Sequence, residues 1–434
     1  MIFREAIRSL KNSRSKAVFF ALTFYLTTAL LFVYFNLAEA AQAGKPETFI
    51  NAYNLADLTQ MLMEGNAGNL MMVFVVIMCS IDLFFCNDFF VKNKAKELAV
   101  RLICGATYLQ LAAYLLIQTM ILMAIAIPLG IGTGYGLIHI LNGMLAESGV
   151  VVKVTSYAMV EFVSVMIFII FWTTLLNCSF AYKSGAVLLA GGNMNALMKK
   201  EKPFRMAKIP LFRILIDLAA AVLAILPLYN FFRGESGLGV HMVIACVGLE
   251  RLTTSVLIPL LNRYNRKKGM NNTVTAAAMG FFRRDIRFSK ITIYLFLCDL
   301  LILMTMLSAR ENDLAEIMLI MISFAAISFL QAMTIMFRIE TDLSDRGREY
   351  AILSYIGTEE EKKKKIMHRE ISMYYGSIIL LVVIYAGTAV YSLYRSQAVS
   401  TQLILMMTGM SFIPLLAADL MTRIYYSGIL KQAS

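Results

Sequence analysis

Lys96-Glu97-Leu98-Ala99-Val100-Arg101-Leu102-Ile103-Cys104-Gly105 is a polar island between two apolar runs. A second stretch of the same character, Arg348-Glu349-Tyr350-Ala351-Ile352-Leu353-Ser354-Tyr355-Ile356-Gly357, follows 252 residues later and aligns without a gap. Each has a basic residue, Glu, an apolar residue, Ala, and a Gly eight residues after the Glu. A decapeptide of this kind used twice between long apolar segments reads as a repeated docking surface between membrane spans. As a short helix it places Glu97 and Arg101 at i and i+4, where they can face one partner surface, with Leu98 and Leu102 as an adjacent apolar stripe. Gly105 lets the chain turn back toward the membrane.

The surrounding chain makes the membrane reading strong. Of its 434 residues, 59% are hydrophobic and 16% charged, against roughly 45–50% and about 25% in soluble domains. About 20 apolar residues cross a hydrocarbon core, and ten stretches reach that length: 17–38, 69–91, 109–141, 156–182, 209–232, 239–261, 291–309, 316–338, 371–394 and 402–425. The third is too long for one straight crossing and carries Pro128 in a tract with Gly130, Gly132, Gly134 and Gly136, so a kink or an extended outer end is expected. The fold class is therefore an all-α polytopic membrane protein with ten transmembrane helices. The first span reads as a retained helix.

Basic residues give the orientation, because Lys and Arg collect on the cytoplasmic side. With the N-terminal arm (Arg4, Arg8, Lys11, Arg14, Lys16) inside, the clusters at 92–101, 183–208, 263–290 and 338–369 fall inside as well. The outer loops then hold only Lys45, Lys153, Arg233, Arg310 and Arg395, 5 of 40 basic residues. Both termini are cytoplasmic. The net charge of +12 is accounted for by this distribution, and no nucleic-acid partner is expected. The longest outer loop, 39–68, carries Leu55, Leu58 and Leu62 at the spacing of a short amphipathic surface helix.

The decapeptides anchor an internal repeat. Each lies between two spans, and Gln118 corresponds to Glu370 near the start of the span that follows. A basic amphipathic arm precedes each copy, Phe3–Lys11 and Gly280–Arg287. The layout is a first four-helix repeat over 1–200, a two-helix spacer over 201–270 and a second four-helix repeat over 271–434. Two inserted spans keep the copies parallel.

With these residues in view, the stretch from Lys96 through Thr107 resembles the cytoplasmic signature of the FtsX-like permeases. These are membrane subunits of ABC transporters that include the MacB and BceB groups. The second copy keeps Arg348-Glu349, Ala351-Ile352-Leu353 and Ile356-Gly357-Thr358. Ten spans with two copies look like the BceB branch. The sequence departs from that branch between spans seven and eight, where a large extracellular domain is replaced by a loop of about Arg310 to Ala315. The resemblance implies a permease in a bacterial plasma membrane, worked by a separate cytoplasmic ABC ATPase dimer that binds ATP-Mg. It implies export, lipid or peptide handling (antimicrobial peptide resistance included) or transmembrane signalling, with a membrane sensor kinase as a further partner. Lys96, Glu97, Arg101, Gly105, Arg348, Glu349 and Gly357 would be the ATPase-coupling residues.

No P-loop sequence occurs in this chain, and His139, His241 and His368 fall in no catalytic motif. No enzyme site, metal site or cofactor of its own is expected. The six cysteines lie in or beside apolar runs without a CxxC pair, which speaks against a disulfide framework or a thiolate metal site. Acids inside spans are costly and suggest function; of Asp82, Glu161, Asp217, Asp299 and Asp419, the candidates are Asp82, Asp217 and Asp299, and Glu161 is close to the external surface. They keep open an ion-coupled secondary transporter. A non-transporting element that hands ATPase motion to a membrane partner is the third reading. The charge run after Thr358 reads as a solvated extension of span nine.

Overall fold

The computed structural model describes residues 2–12, 14–42, 67–145, 151–189, 210–233, 239–268, 273–308, 314–355, 357–396 and 400–433. The expected surface helix at Leu55–Leu62 lies outside them. All regular structure among the described residues is helical. Among the described residues, eight helical segments are long and apolar enough to cross a membrane: Lys16–Ala40, Val73–Lys92, Tyr108–Gly143, Ser156–Tyr182, Ile214–Arg233, Ile317–Ile339, Glu360–Arg395 and Thr401–Tyr426. The chain is a multi-pass, all-α membrane protein.

It divides into two compact units. The first comprises Met1–Pro203 with Asn312–Ala326, the second Phe204–Glu311 with Ile327–Ser434. In the first unit the helices are α1 (Ile2–Asn12), α2 (Arg14–Gln42), α3 (Ala67–Asn93), α4 (Ala95–Ile103), α5 (Tyr108–Leu145) and α6 (Ser156–Leu189). The centre is α2, buried at every residue from Thr27 through Ala38 and packed against α3, α5 and α6. Helices in lipid lack a hydrophobic drive toward one another and associate through close backbone approach. Gly130 and Gly134, one turn apart on α5, supply that approach. A Cβ on Gly130 would stand 2.7 Å from the Thr28 Cβ, and one on Gly134 2.7 Å from the Phe32 ring. Gly132 and Gly136 face open space. At Pro128, where a kink or an extended outer end is expected, α5 is continuous; the helix runs for 38 residues, roughly 57 Å at 1.5 Å per residue.

Polar side chains inside this unit bond to one another across helices. Asn87 of α3 donates to Asn177 of α6 at 2.8 Å, and Asn177 donates to Thr119 of α5 at 3.3 Å. All three are buried. At the far end of α5, Asn142 takes the backbone of Val152 in two hydrogen bonds of 2.8 and 2.7 Å.

The second unit holds α7 (Pro210–Arg233), α8 (Gly239–Leu252), a π-helical turn at Thr253–Leu257, α9 (Ile258–Lys268), α10 (Thr273–Ser308), α11 (Leu314–Tyr355), α12 (Glu360–Ser396) and α13 (Thr401–Ala433). The residues of α11 through Ala326 belong to the first unit. Here α10 is buried from Phe296 through Met304 and packs on α8 and α12, and α12 packs on α7 and α13. Gly248 brings α8 against the backbone of α7: a Cβ there would meet the Ala220 carbonyl at 2.7 Å. Two expected crossings are not among the eight spans: the stretch 239–261 is α8, the π turn and the start of α9. The expected crossing at 291–309 falls on the C-terminal half of α10, continuous with the basic arm before it.

Candidate functional site

The two decapeptides end in the same backbone geometry. Gly105 has φ +92° and Gly357 φ +83°, the left-handed region that Gly enters without penalty. In both, a bond of 3.0 Å closes the preceding helix, Ala106 N–H to the Arg101 carbonyl and Thr358 N–H to the Leu353 carbonyl. These donors and acceptors stand 252 residues apart, as the glycines do. The bond is the one that a left-handed glycine makes when it ends a helix. In the first copy a capping box follows at once: the Thr107 N–H donates to Gln110 Oε1 at 3.0 Å, and the Gln110 N–H to Thr107 Oγ1 at 3.4 Å. Helix α4 therefore stops at a fixed point, and α5 starts three residues beyond the glycine.

The faces of α4 are set by its neighbours. Ala95 and Leu98 are buried, against α5 and α6, while Val100 is 60% and Ile103 80% exposed. The second copy has the same register. Tyr350, at the position of Leu98, is buried, with the Phe281 ring of the α10 arm 5.8 Å away. Ile352 and Tyr355, at the positions of Val100 and Ile103, are 55% and 90% exposed. Apolar side chains thus face outward at matching positions of both.

Glu97 and Arg101, the pair expected on one surface, are engaged by intrachain partners and stay partly exposed, at 33% and 26% of their side chains. Ser9 of α1 donates to Glu97 Oε2 at 2.7 Å, and Tyr114 of α5 donates to Oε1. Lys94 lies 3.3 Å from the same carboxylate and donates to the Ser9 hydroxyl at 2.7 Å. Arg101 bonds Glu5 of α1 at 2.5 Å and stacks on the Tyr114 ring, 3.9 Å from its centroid. These contacts fasten α4 to the amphipathic arm and to α5. They also set the charges. Partial burial opposes ionisation of Glu97, but the Tyr114, Ser9 and Lys94 donors outweigh it and hold the carboxyl below its usual range. For Lys94 burial prevails over the attraction of Glu97, and the ammonium is held below the usual lysine range. Burial of Arg101 is outweighed by Glu5, Tyr114 and Glu97, which raise it. The side chains of Lys96, Arg348 and Glu349 lie outside the described residues.

Gln118 and Glu370, the corresponding pair at the start of the next span, are both buried. Gln118 Nε2 donates to the Ala6 carbonyl of α1 at 3.3 Å, and Glu370 accepts from Tyr426 at 3.4 Å. In the charge run, α12 begins at Glu360, and Lys363 is buried rather than solvated.

The three intramembrane acids have different surroundings. Asp82 on α3 is fully buried, and neither carboxyl oxygen has a hydrogen-bond partner among the described residues. Asp299 on α10 is buried. Asp217 on α7 is partly exposed and pairs with Arg251 of α8 at 3.2 Å. Beside it, Glu250 pairs with Lys290 of α10 at 2.5 Å. Glu250 and Arg251 were not among the expected polar sites, although two adjacent charges inside an apolar run were visible in the sequence. The ion pairs stand immediately before the π turn at Thr253–Leu257, whose buried Thr253 hydroxyl meets Tyr294 of α10. Among the described residues no group of His, Cys, Asp and Glu is placed to hold a metal ion.

No protein-family model matches the chain, and no curated protein sequence matches it.

Proposed function

We propose that this chain is the permease subunit of an ABC-type transporter of the FtsX-like class. A separate cytoplasmic ATPase dimer, loaded with ATP-Mg, acts on the two decapeptide elements and moves the spans attached to them. The observation that carries this reading is the pair of left-handed glycines, Gly105 and Gly357. They end two elements in the same register, each presenting apolar side chains outward, Val100 and Ile103 in one and Ile352 and Tyr355 in the other. A partner with two equivalent pockets fits such a pair. The partner contact then runs through these apolar residues, while Glu97 and Arg101 position α4. On this reading the chain crosses a bacterial plasma membrane ten times as two parallel four-helix repeats around a two-helix spacer, with both termini inside. The output is export, lipid or peptide handling, or a signal passed to a membrane partner such as a sensor kinase.

A photoreactive residue placed at Ile103 and, separately, at Tyr355 tests this in the native membrane. The expected result is a crosslink from each site to one and the same P-loop ATPase chain. Crosslinks to lipid alone, or to an ATPase from only one of the two sites, would overturn the reading.

Asp82 favours a second reading, an ion-coupled transporter. A buried carboxyl inside a span, with no hydrogen-bond partner among the described residues, is a candidate ion- or proton-carrying group. Substrate uptake into vesicles under an ion gradient without nucleotide, abolished by Asp82→Asn, would replace the first reading with this one.

A further inference from the structure

The amphipathic arm α1 has a face that the permease reading does not use. Its inner side is fixed: Ala6 and Ser9 are buried, Gln118 holds the Ala6 carbonyl, and Glu5 and Ser9 bond Arg101 and Glu97. On the opposite side Phe3 is 57% and Ile7 45% exposed, and Arg4, Arg8 and Lys11 are exposed next to them. Two large apolar side chains flanked by three cations on one helix face suit a boundary between acyl chains and charged headgroups.

The depth of the helix agrees with this. The apolar segment Tyr108–Gly143 has 36 residues, about 54 Å at 1.5 Å per residue. A hydrocarbon core is about 30 Å thick, so equal overhang leaves roughly 12 Å beyond the core at each end. Gln118, ten residues from the first residue of α5, lies about 15 Å along the helix. With that even placement, its bond to Ala6 sets α1 near the edge of the core. Tyr108 and Tyr182, tilted at 54° with ring centroids 6.0 Å apart and both exposed, mark the same end, as tyrosines do at membrane interfaces. Moreover, α1 ends at Asn12 and α2 begins at Arg14, so the arm is tethered to a span.

We propose that the outer face of α1 is a binding surface for anionic phospholipid, with Phe3 and Ile7 in the acyl boundary and Arg4, Arg8 and Lys11 on the headgroups. Lipid held there bears on α4 through the Glu5–Arg101 and Ser9–Glu97 contacts, so the position of the first decapeptide depends on the lipid beneath it. The inference does not require an ATPase partner.

The test uses the full chain in nanodiscs of phosphatidylcholine with a minor share of phosphatidylglycerol. Phe3→Trp in a Trp172→Phe background gives a single reporter at the surface. Bromine is placed on the acyl chains of one lipid or of the other. The expected result is quenching by brominated phosphatidylglycerol beyond its share of the bilayer. The triple change Arg4→Gln, Arg8→Gln and Lys11→Gln lowers that enrichment by about fivefold for each basic residue removed, and raised salt lowers it too. The charge-preserving pair Arg4→Lys and Arg8→Lys keeps it, which separates loss of charge from loss of fold. Quenching in proportion to bilayer composition, unchanged by the triple substitution, would overturn the proposal. So would absence of quenching by either lipid, which would place the face in water or against a soluble partner.

Discussion

Replacing Gly105 by Ala isolates the feature on which the reading of the decapeptides depends. The site has φ +92°, and a Cβ added there meets nothing within 4 Å. The penalty is therefore conformational, not steric. A left-handed L-residue costs about 1–2 kcal/mol. The native cap is held by the Ala106 N–H to Arg101 carbonyl bond of 3.0 Å, so the cost falls on opening of that last turn. At about 1.4 kcal/mol per tenfold change, exchange of the Ala106 amide should quicken roughly 5- to 30-fold. Gly357→Ala, at φ +83° with open space around it, should do the same to the Thr358 amide. Gly105→Asn should have a smaller effect, because Asn tolerates this backbone region. Gly132→Ala is the control. It also faces open space but lies inside a helix, and should stabilise by about 0.5–1 kcal/mol. Hydrogen exchange with peptide-level mass spectrometry, on the full chain in nanodiscs, reads all four. Unchanged exchange at Ala106 and Thr358 in the two alanine variants would refute the assignment of these glycines as obligatory left-handed caps.

Three other outcomes follow from the packing. Gly130→Ala drives a Cβ to 2.7 Å from Thr28 and 2.8 Å from the Tyr25 carbonyl; it should destabilise by about 1–3 kcal/mol, measured by detergent-induced unfolding against Gly132→Ala. Asn177→Ala removes the link between Asn87 and Thr119 and should cost about 1–3 kcal/mol, with Asn87→Ala plus Asn177→Ala costing less than the sum of the single changes. Glu97 has its pKa depressed in the folded protein. Its contribution is therefore present above the unfolded value, about 4.3, and is lost as pH falls from there through the lower folded value. A melting-temperature profile against pH should show this loss in the parent and a flatter acid limb in Glu97→Gln; identical limbs would contradict the hydrogen-bonded role of Glu97.

The membrane character and most of the helices were legible in the sequence, because a hydrocarbon core demands long apolar runs whatever they pack against. The stretch 239–261, expected as a crossing, shows where that logic weakens. The run is apolar enough on average, yet Glu250 and Arg251 sit within it and the helix passes through a π turn. Whether adjacent charges there are tolerated depends on Asp217 and Lys290, which come from other helices. Pro128 is the converse case. Alone it signals a kink; α5 is continuous through it, and close approach to α2 follows at Gly130 and Gly134.

The sequence by itself determined the two decapeptides, their spacing and the glycines that end them, since a polar island between apolar runs and a left-handed backbone position each leave a local mark. Only the tertiary structure decided which side of α4 faces outward. A nine-residue helix carrying Glu97, Leu98, Val100, Arg101 and Ile103 offers both a charged and an apolar face, and its own periodicity ranks neither. Ser9, Glu5 and Tyr114 reach α4 from α1 and α5 and hold Glu97 and Arg101 partly exposed. Val100 and Ile103 are left as the more exposed side of the helix.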